Sequence, residues 1–106
     1  MSFQHRIGPN FKEPKITNGT RRGLLHMGRV KQLACICCGK AGPSEAHHCR
    51  SDGMARDDFK TIPLCTDCHR GQQGYHTAKS TWEATYGKDW EYLAVVADAL
   101  AGELNK

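Results

Sequence analysis

The sequence predicts a small α+β domain: a short β-hairpin, a helix directly after it, and further helices on either side. Three observations predict it. Two C-x2-C pairs, Cys35–Cys38 and Cys65–Cys68, bracket one segment of the chain. Within that segment Glu45–Cys49 and Thr61–Leu64 have the length and composition of two strands, with turn signals at Gly39–Lys40, Gly42–Pro43 and Asp52–Gly53. Outside it, apolar residues recur at helical spacing. The 106 residues, 39% of them hydrophobic, allow one domain with a modest core, for which a metal or disulfide staple is a welcome addition.

Taken in order, residues 1–19 carry Gly8, Pro9, Pro14 and Gly19 among polar residues and read as a basic, irregular arm. Residues 20–106 form the folded domain. Thr20 is placed to cap a helix through Arg21–Gln32, with Leu24, Leu25, Met27, Val30 and Leu33 as its apolar face. Gly23 and Gly28 weaken that helix by about 1 kcal/mol each relative to alanine. After the hairpin, Thr66 or Asp67 caps a helix that Gly71 and Gly74 interrupt. Ala78–Tyr86 is a further helix, closed by Gly87. Asp89 is placed to cap a last helix through Leu104, in which Trp90, Leu93, Val96, Ala97 and Leu100 form a packing stripe.

The formal net charge of +4 is unevenly spread. Up to Ala34 the cations Arg6, Lys12, Lys15, Arg21, Arg22, Arg29 and Lys31 face only Glu13, whereas the C-terminal end is acidic. A basic front half is favourable beside a polyanion through counterion release. No stretch approaches the roughly 20 apolar residues needed to span a bilayer, so no membrane partner is expected. Met1 to Asn10 lacks the apolar core of a secretory signal, and the expected location is intracellular. Six cysteines in such a chain point to metal binding rather than disulfides.

The cysteine spacing carries that argument further. A C-x2-C pair on a tight turn brings two thiolates to one ion, and two pairs complete a closed tetrahedral zinc site. Cys35, Cys38, Cys65 and Cys68 are therefore the expected structural zinc ligands. Cys37 could replace a neighbour, and Cys49 reads as a core residue. A closed site leaves His47, His48, His69 and His76 without a structural task. If His47 and His48 lie on a strand, their side chains point to opposite faces, so that one imidazole can ligate a metal while the other meets a water. His5 and His26 carry no such signal.

The stretches CICCG, EAHHC and TIPLCTDCH, followed by a later histidine, resemble the HNH nuclease family over about residues 35–76. In that family the first histidine of the His-His pair binds the catalytic metal and the second is the general base. The resemblance thus implies His47 as ligand, His48 as base, and His69 and His76 as further ligands on the helix after the second cysteine pair. It implies the ββα-metal fold and a catalytic divalent ion, Mg²⁺ or Mn²⁺, although imidazoles also suit Zn²⁺. A narrower likeness covers about residues 21–87. His26–Val30, EAHH, TIPLC, CHRGQQGYH and WEATYG look like the phage recombination-enhancement nucleases, which are RecA-dependent HNH proteins. It implies cutting of DNA held by a RecA filament, in the cytoplasm of a bacterium or a phage-infected host. One departure stands out. Many HNH proteins have an asparagine before the proline-leucine-cysteine run; here the chain reads Asp58-Phe59-Lys60-Thr61, leaving Asp57, Asp58 or a backbone carbonyl to orient His48.

The expected activity is hydrolysis of a DNA phosphodiester, with His48 taking a proton from water. Arg50, Arg56, Lys60 and Arg70 flank the histidines and, with Arg21, Arg22, Arg29 and Lys31 of the basic front, are the expected phosphate contacts. No element that reads base edges is recognisable, so weak or no sequence preference is expected. Two rivals use fewer of these residues. A non-catalytic zinc-stabilised nucleic-acid-binding module needs the four cysteines and the basic front but not the clustered histidines. A zinc-based protein-interaction domain needs neither the histidines nor the basic front.

Overall fold

The computed structural model describes residues 18–104. The arm expected at residues 1–19 therefore lies almost wholly outside the described residues. The elements run α1 (Asn18–Lys31), β1 (Glu45–His48), a 3-10 turn (Ser51–Gly53), β2 (Thr61–Leu64), α2 (Thr66–Arg70), α3 (Lys79–Tyr86), a second 3-10 turn (Asp89–Tyr92) and α4 (Leu93–Leu104). This is an α+β arrangement around one antiparallel hairpin. Among the described residues no helix is long and apolar enough to cross a membrane.

The hairpin pairs Glu45 with Leu64 and His48 with Thr61, and the Cys49 N–H to Lys60 carbonyl bond extends the ladder by one step. All four residues of β2 are buried, because α1 and α4 both pack against it. Pro63 is tolerated there because a strand with a single neighbour can spare an N–H. The core joins Val30 of α1, Ile62 and Leu64 of β2, Tyr75, Trp82 of α3, and Val96 and Leu100 of α4. Tyr75, Trp82 and Tyr92 meet edge to face, which suits the quadrupoles of aromatic rings.

Several expectations need correction. Helix α1 already includes Asn18, so Thr20 lies inside it rather than capping it. Its core face is narrower than the pattern implied. Val30 is fully buried and Leu33 packs alongside, but Leu24 and Leu25 are 54% and 65% exposed. Helix α2 is capped by the sulfur of Cys65, which accepts the Cys68 N–H at 3.5 Å, rather than by Thr66 or Asp67. The last helix begins with a 3-10 turn that Lys88 precedes, its backbone N–H donating to Glu91 Oε2, and Asp89 is withdrawn into the interior for a different purpose. Trp90 is 40% exposed, donating its indole N–H to Asp52, and Ala97 faces solvent, so the stripe on α4 reduces to Leu93, Val96 and Leu100.

Gly23 has a positional role that propensity alone conceals. A Cβ built there would lie 2.6 Å from Asp58 Oδ2 and 2.9 Å from Asp58 Cβ, so α1 can approach the β1–β2 connection only without a side chain. At Gly28, in the same helix, nothing lies within 4 Å. Alanine substitutions at the two positions should therefore have opposite signs. Gly28→Ala is expected to stabilise the fold by about 0.5–1 kcal/mol, the ordinary helix gain, whereas Gly23→Ala should destabilise it. Thermal denaturation of the two variants beside wild type checks this.

Candidate metal and catalytic centre

The four-sulfur cluster closes the base of the hairpin. A turn over Cys35–Lys40 is held by the bonds Cys35 N–H to Lys40 carbonyl and Gly39 N–H to Cys35 carbonyl, while Ile36 N–H reaches the Pro63 carbonyl of β2. Cys65 ends the hairpin and Cys68 sits one turn into α2. The sulfurs of Cys35, Cys38, Cys65 and Cys68 all lie within 4.8 Å of one another. Cys38 and Cys65 Sγ are 3.7 Å apart, close to the roughly 3.8 Å edge of a tetrahedron with metal–sulfur bonds of about 2.3 Å. Burial pushes the Cys35 thiol up, but the backbone N–H groups of Cys38, Cys65 and Cys37 outweigh it and hold the thiol below its ordinary value. Cys37 stands outside the cluster. Burial and the neighbouring sulfurs push it up to about 12, which makes it a neutral thiol. Cys49 is likewise buried and pushed up to about 12.

A second group gathers around His47 of β1. Ligand nitrogens of His47, His69 and His76 also fall within 4.8 Å of one another and could hold a metal ion. After Arg70 the chain turns sharply at Gly71 and Gly74, where a Cβ would meet the Asp67 carbonyl at 2.6 and 2.8 Å. It then returns along α2, so that His76 N–H donates to the His69 carbonyl. That fold-back is what brings two histidines seven residues apart into one cluster. Their Nε2 atoms are 3.0 Å apart, near the roughly 3.0–3.4 Å expected between nitrogens bound to one ion at about 2.1 Å.

Each of three histidines is held by a carboxylate. His47 Nε2–H donates to Asp89 Oδ2 at 2.8 Å, His48 Nε2–H to Asp58 Oδ1 at 2.8 Å, and His69 Nδ1–H to Glu45 Oε1 at 2.6 Å. Such bonds fix tautomer and ring orientation and leave the opposite nitrogen with its lone pair. For His47 the consequence is plain. Its Nδ1 is fully buried and has no hydrogen-bond partner among the described residues, a cost the fold would not ordinarily carry without a ligand. Asp89 also accepts the N–H groups of Arg50, at 2.6 Å, and Ser51, at 3.1 Å. Burial pushes its carboxyl up, but those donors together with His47 hold it well below the usual range. Arg70, bidentate on Glu45, and then His69 lower Glu45 to about 2. Burial keeps His47, His69 and His76 below the ordinary imidazole value of 6.5, so all three are neutral and able to ligate at neutral pH.

The strand period separates the two adjacent histidines. His47 is fully buried against Tyr75, His69 and His76. Ala46, His48 and Arg50 share the outer face and, with Arg56, His69 and His76, line an open cavity of about 190 Å³. Of the cations expected to contact phosphate, Arg50 and Arg56 thus stand beside the histidines. Arg70 is tied to Glu45, and the Arg29 guanidinium donates to the Leu100 carbonyl on α4. Arg21, Arg22, Lys31 and Lys60 are exposed and lie outside the cavity lining.

Sequence reasoning missed Asp89 and Glu45 and left Asp58 as one of several candidates. Glu45 carried a usable signal: on a strand it shares a face with His47, two residues on. Asp89 carried none, being far along the chain and shaped like an ordinary helix cap.

Removing the buried carboxylate should loosen the histidine cluster without touching the sulfurs. Asp89→Asn presents an N–H₂ to groups that are themselves donors. It is expected to weaken Mn²⁺ binding about 10- to 100-fold while the metal content of the four-cysteine site is unchanged, as read by calorimetry and elemental analysis. The pH dependence has a defined sign. Because the folded imidazoles are lowered, their neutral forms stabilise the fold above pH 6.5, and that contribution is lost as pH falls through the lowered values. Mn²⁺ affinity measured over a pH series should stay flat through pH 6.5 and fall only as pH drops through the lowered imidazole values.

No curated protein and no solved structure matches this chain. A family model does, over residues 9–102. The chain belongs to the family described as Protein of unknown function (DUF968).

Proposed function

We propose that this chain is a metal-dependent DNA endonuclease of the HNH, ββα-metal type, stapled by zinc at Cys35, Cys38, Cys65 and Cys68. The observation that supports it best is the pairing of His48 with Asp58 beside the His47, His69 and His76 cluster, with His48 on the wall of the cavity that His69, His76, Arg50 and Arg56 also line. Asp58 takes the place of the asparagine that many HNH proteins use. It accepts the Nε2 proton, so that His48 Nδ1 is the basic nitrogen.

The chemistry follows from that placement. His48 Nδ1 removes a proton from a water, and the hydroxide oxygen bonds to phosphorus as the bond from phosphorus to the 3′ oxygen breaks. Asp58 stabilises the imidazolium that forms, and Arg50 and Arg56 hold the phosphate oxygens. His47, His69 and His76 would hold a divalent ion, which when bound would supply charge stabilisation for the pentacoordinate phosphate and the leaving oxygen. A non-catalytic nucleic-acid-binding module would have no need of a carboxylate-oriented imidazole beside three clustered histidines. The likeness to the phage recombination-enhancement nucleases suggests DNA held by a RecA filament as substrate.

Nicking of supercoiled plasmid in Mg²⁺ or Mn²⁺ tests the proposal, repeated on displaced-loop DNA with and without a RecA filament. His48→Ala is expected to lower the rate at least about 100-fold at equal zinc content, with DNA binding retained. Equal rates for wild type and His48→Ala, or no cutting under any of these conditions, would leave the binding-module reading in its place.

A further inference from the structure

The geometry points to a second subsite beside His48: a stacking site for one unpaired nucleobase next to the phosphate being cut, with Phe59 as its platform. This rests on the nuclease reading only for the identity of the neighbouring phosphate.

Phe59 lies in the β1–β2 connection, two residues before β2, and is 50% exposed. Its position is fixed by the backbone. Asp57 Oδ1 accepts the Phe59 N–H at 2.9 Å, the Asp57 carbonyl accepts the Lys60 N–H, and the Thr61 hydroxyl donates to the Asp58 carbonyl. The imidazole of His26, on α1, rests against the ring at 5.2 Å between centroids, tilted by 42°. An exposed aromatic on so constrained a turn is pre-organised, so binding through it loses little entropy.

The surroundings select the occupant. Phe59 borders a cleft of about 420 Å³ shared with Thr20, Arg56, Asp57 and Asp58. Arg56 also lines the histidine cavity, and Asp58 is the carboxylate that holds His48, so the two spaces adjoin. A ligand that places a phosphate against Arg56 and His48 therefore continues into the cleft at Phe59. Two carboxylates on the cleft wall repel a second phosphate, but they suit the amino and imino N–H groups of a base edge. Asp57, whose Oδ1 already accepts the Phe59 N–H on this wall, is the natural acceptor. A base can offer both its face to Phe59 and its edge to Asp57 only when it is unpaired. The preferred DNA is thus single-stranded, looped or displaced at the cut.

The test reads binding and does not depend on cutting. The zinc-loaded full chain, with no other divalent ion added, is titrated with a labelled single-stranded oligonucleotide, with its duplex, and with the same strand made abasic. Phe59→Leu keeps the apolar volume and removes the π face. It should weaken single-strand binding about tenfold and leave the duplex and abasic strands unchanged. Phe59→Trp should bind the single strand at least as well as wild type. Equal single-strand affinity for Phe59→Leu and wild type overturns the subsite, as does an equal loss on the abasic strand. The two readings can fail separately. A chain that binds single strands through Phe59 yet never nicks DNA keeps the subsite and loses the nuclease. His48-dependent cutting with no effect of Phe59→Leu on binding does the reverse.

Discussion

The four-sulfur cluster is the constraint from which the rest of the architecture follows. It ties the turn at Cys35–Cys38 to the junction where β2 becomes α2, and so fixes how the helix leaves the hairpin. A two-stranded sheet is marginal by itself. Here it is closed at its base by the sulfurs and covered on β2 by α1 and α4. Because the Cys65 sulfur also caps α2, the same atoms that would hold an ion set the start of the helix carrying His69. The position of His69, and of His76 folded back upon it, thus derives from the sulfur cluster.

A second layer of order comes from carboxylates. Asp89, Asp58 and Glu45 reach their histidines from three different parts of the chain: the start of the C-terminal helical segment, the β1–β2 connection and the first residue of β1. The consequence is cooperative. Asp89 also holds the backbone at Arg50 and Ser51. The Ser51 hydroxyl in turn donates to Glu83 on α3 and meets the Tyr75 hydroxyl. The C-terminal half of the chain is therefore part of the histidine centre rather than an appended scaffold.

The sequence made the hairpin, the two clusters and the helix order legible because each has a local signature: paired cysteines, adjacent histidines and glycines at helix ends. Strand limits came within one residue, with Cys49 falling just beyond β1. What stayed hidden depended on long-range packing. Leu24 and Leu25 lie six and five residues before Val30, turned away from its face of α1, and stay exposed because only that one side is covered. Gly23 looked like a weakness and proved to be the point of closest approach to Asp58. Asp89 carries a capping residue's identity but spends its oxygens on His47, Arg50 and Ser51. No periodicity encodes a contact between residues so far apart.

The two clusters are proposed to separate two ions by chemistry, the sulfurs holding one that shapes the hairpin and the imidazoles one at the cavity beside His48. Anomalous diffraction from crystals of the zinc-loaded protein soaked in Mn²⁺, recorded at the zinc and manganese edges, tests it most directly. Zinc is expected at the four sulfurs and manganese against His47 Nδ1 and the Nε2 atoms of His69 and His76. Manganese scattered over surface carboxylates, with nothing bound among those three nitrogens, would contradict it.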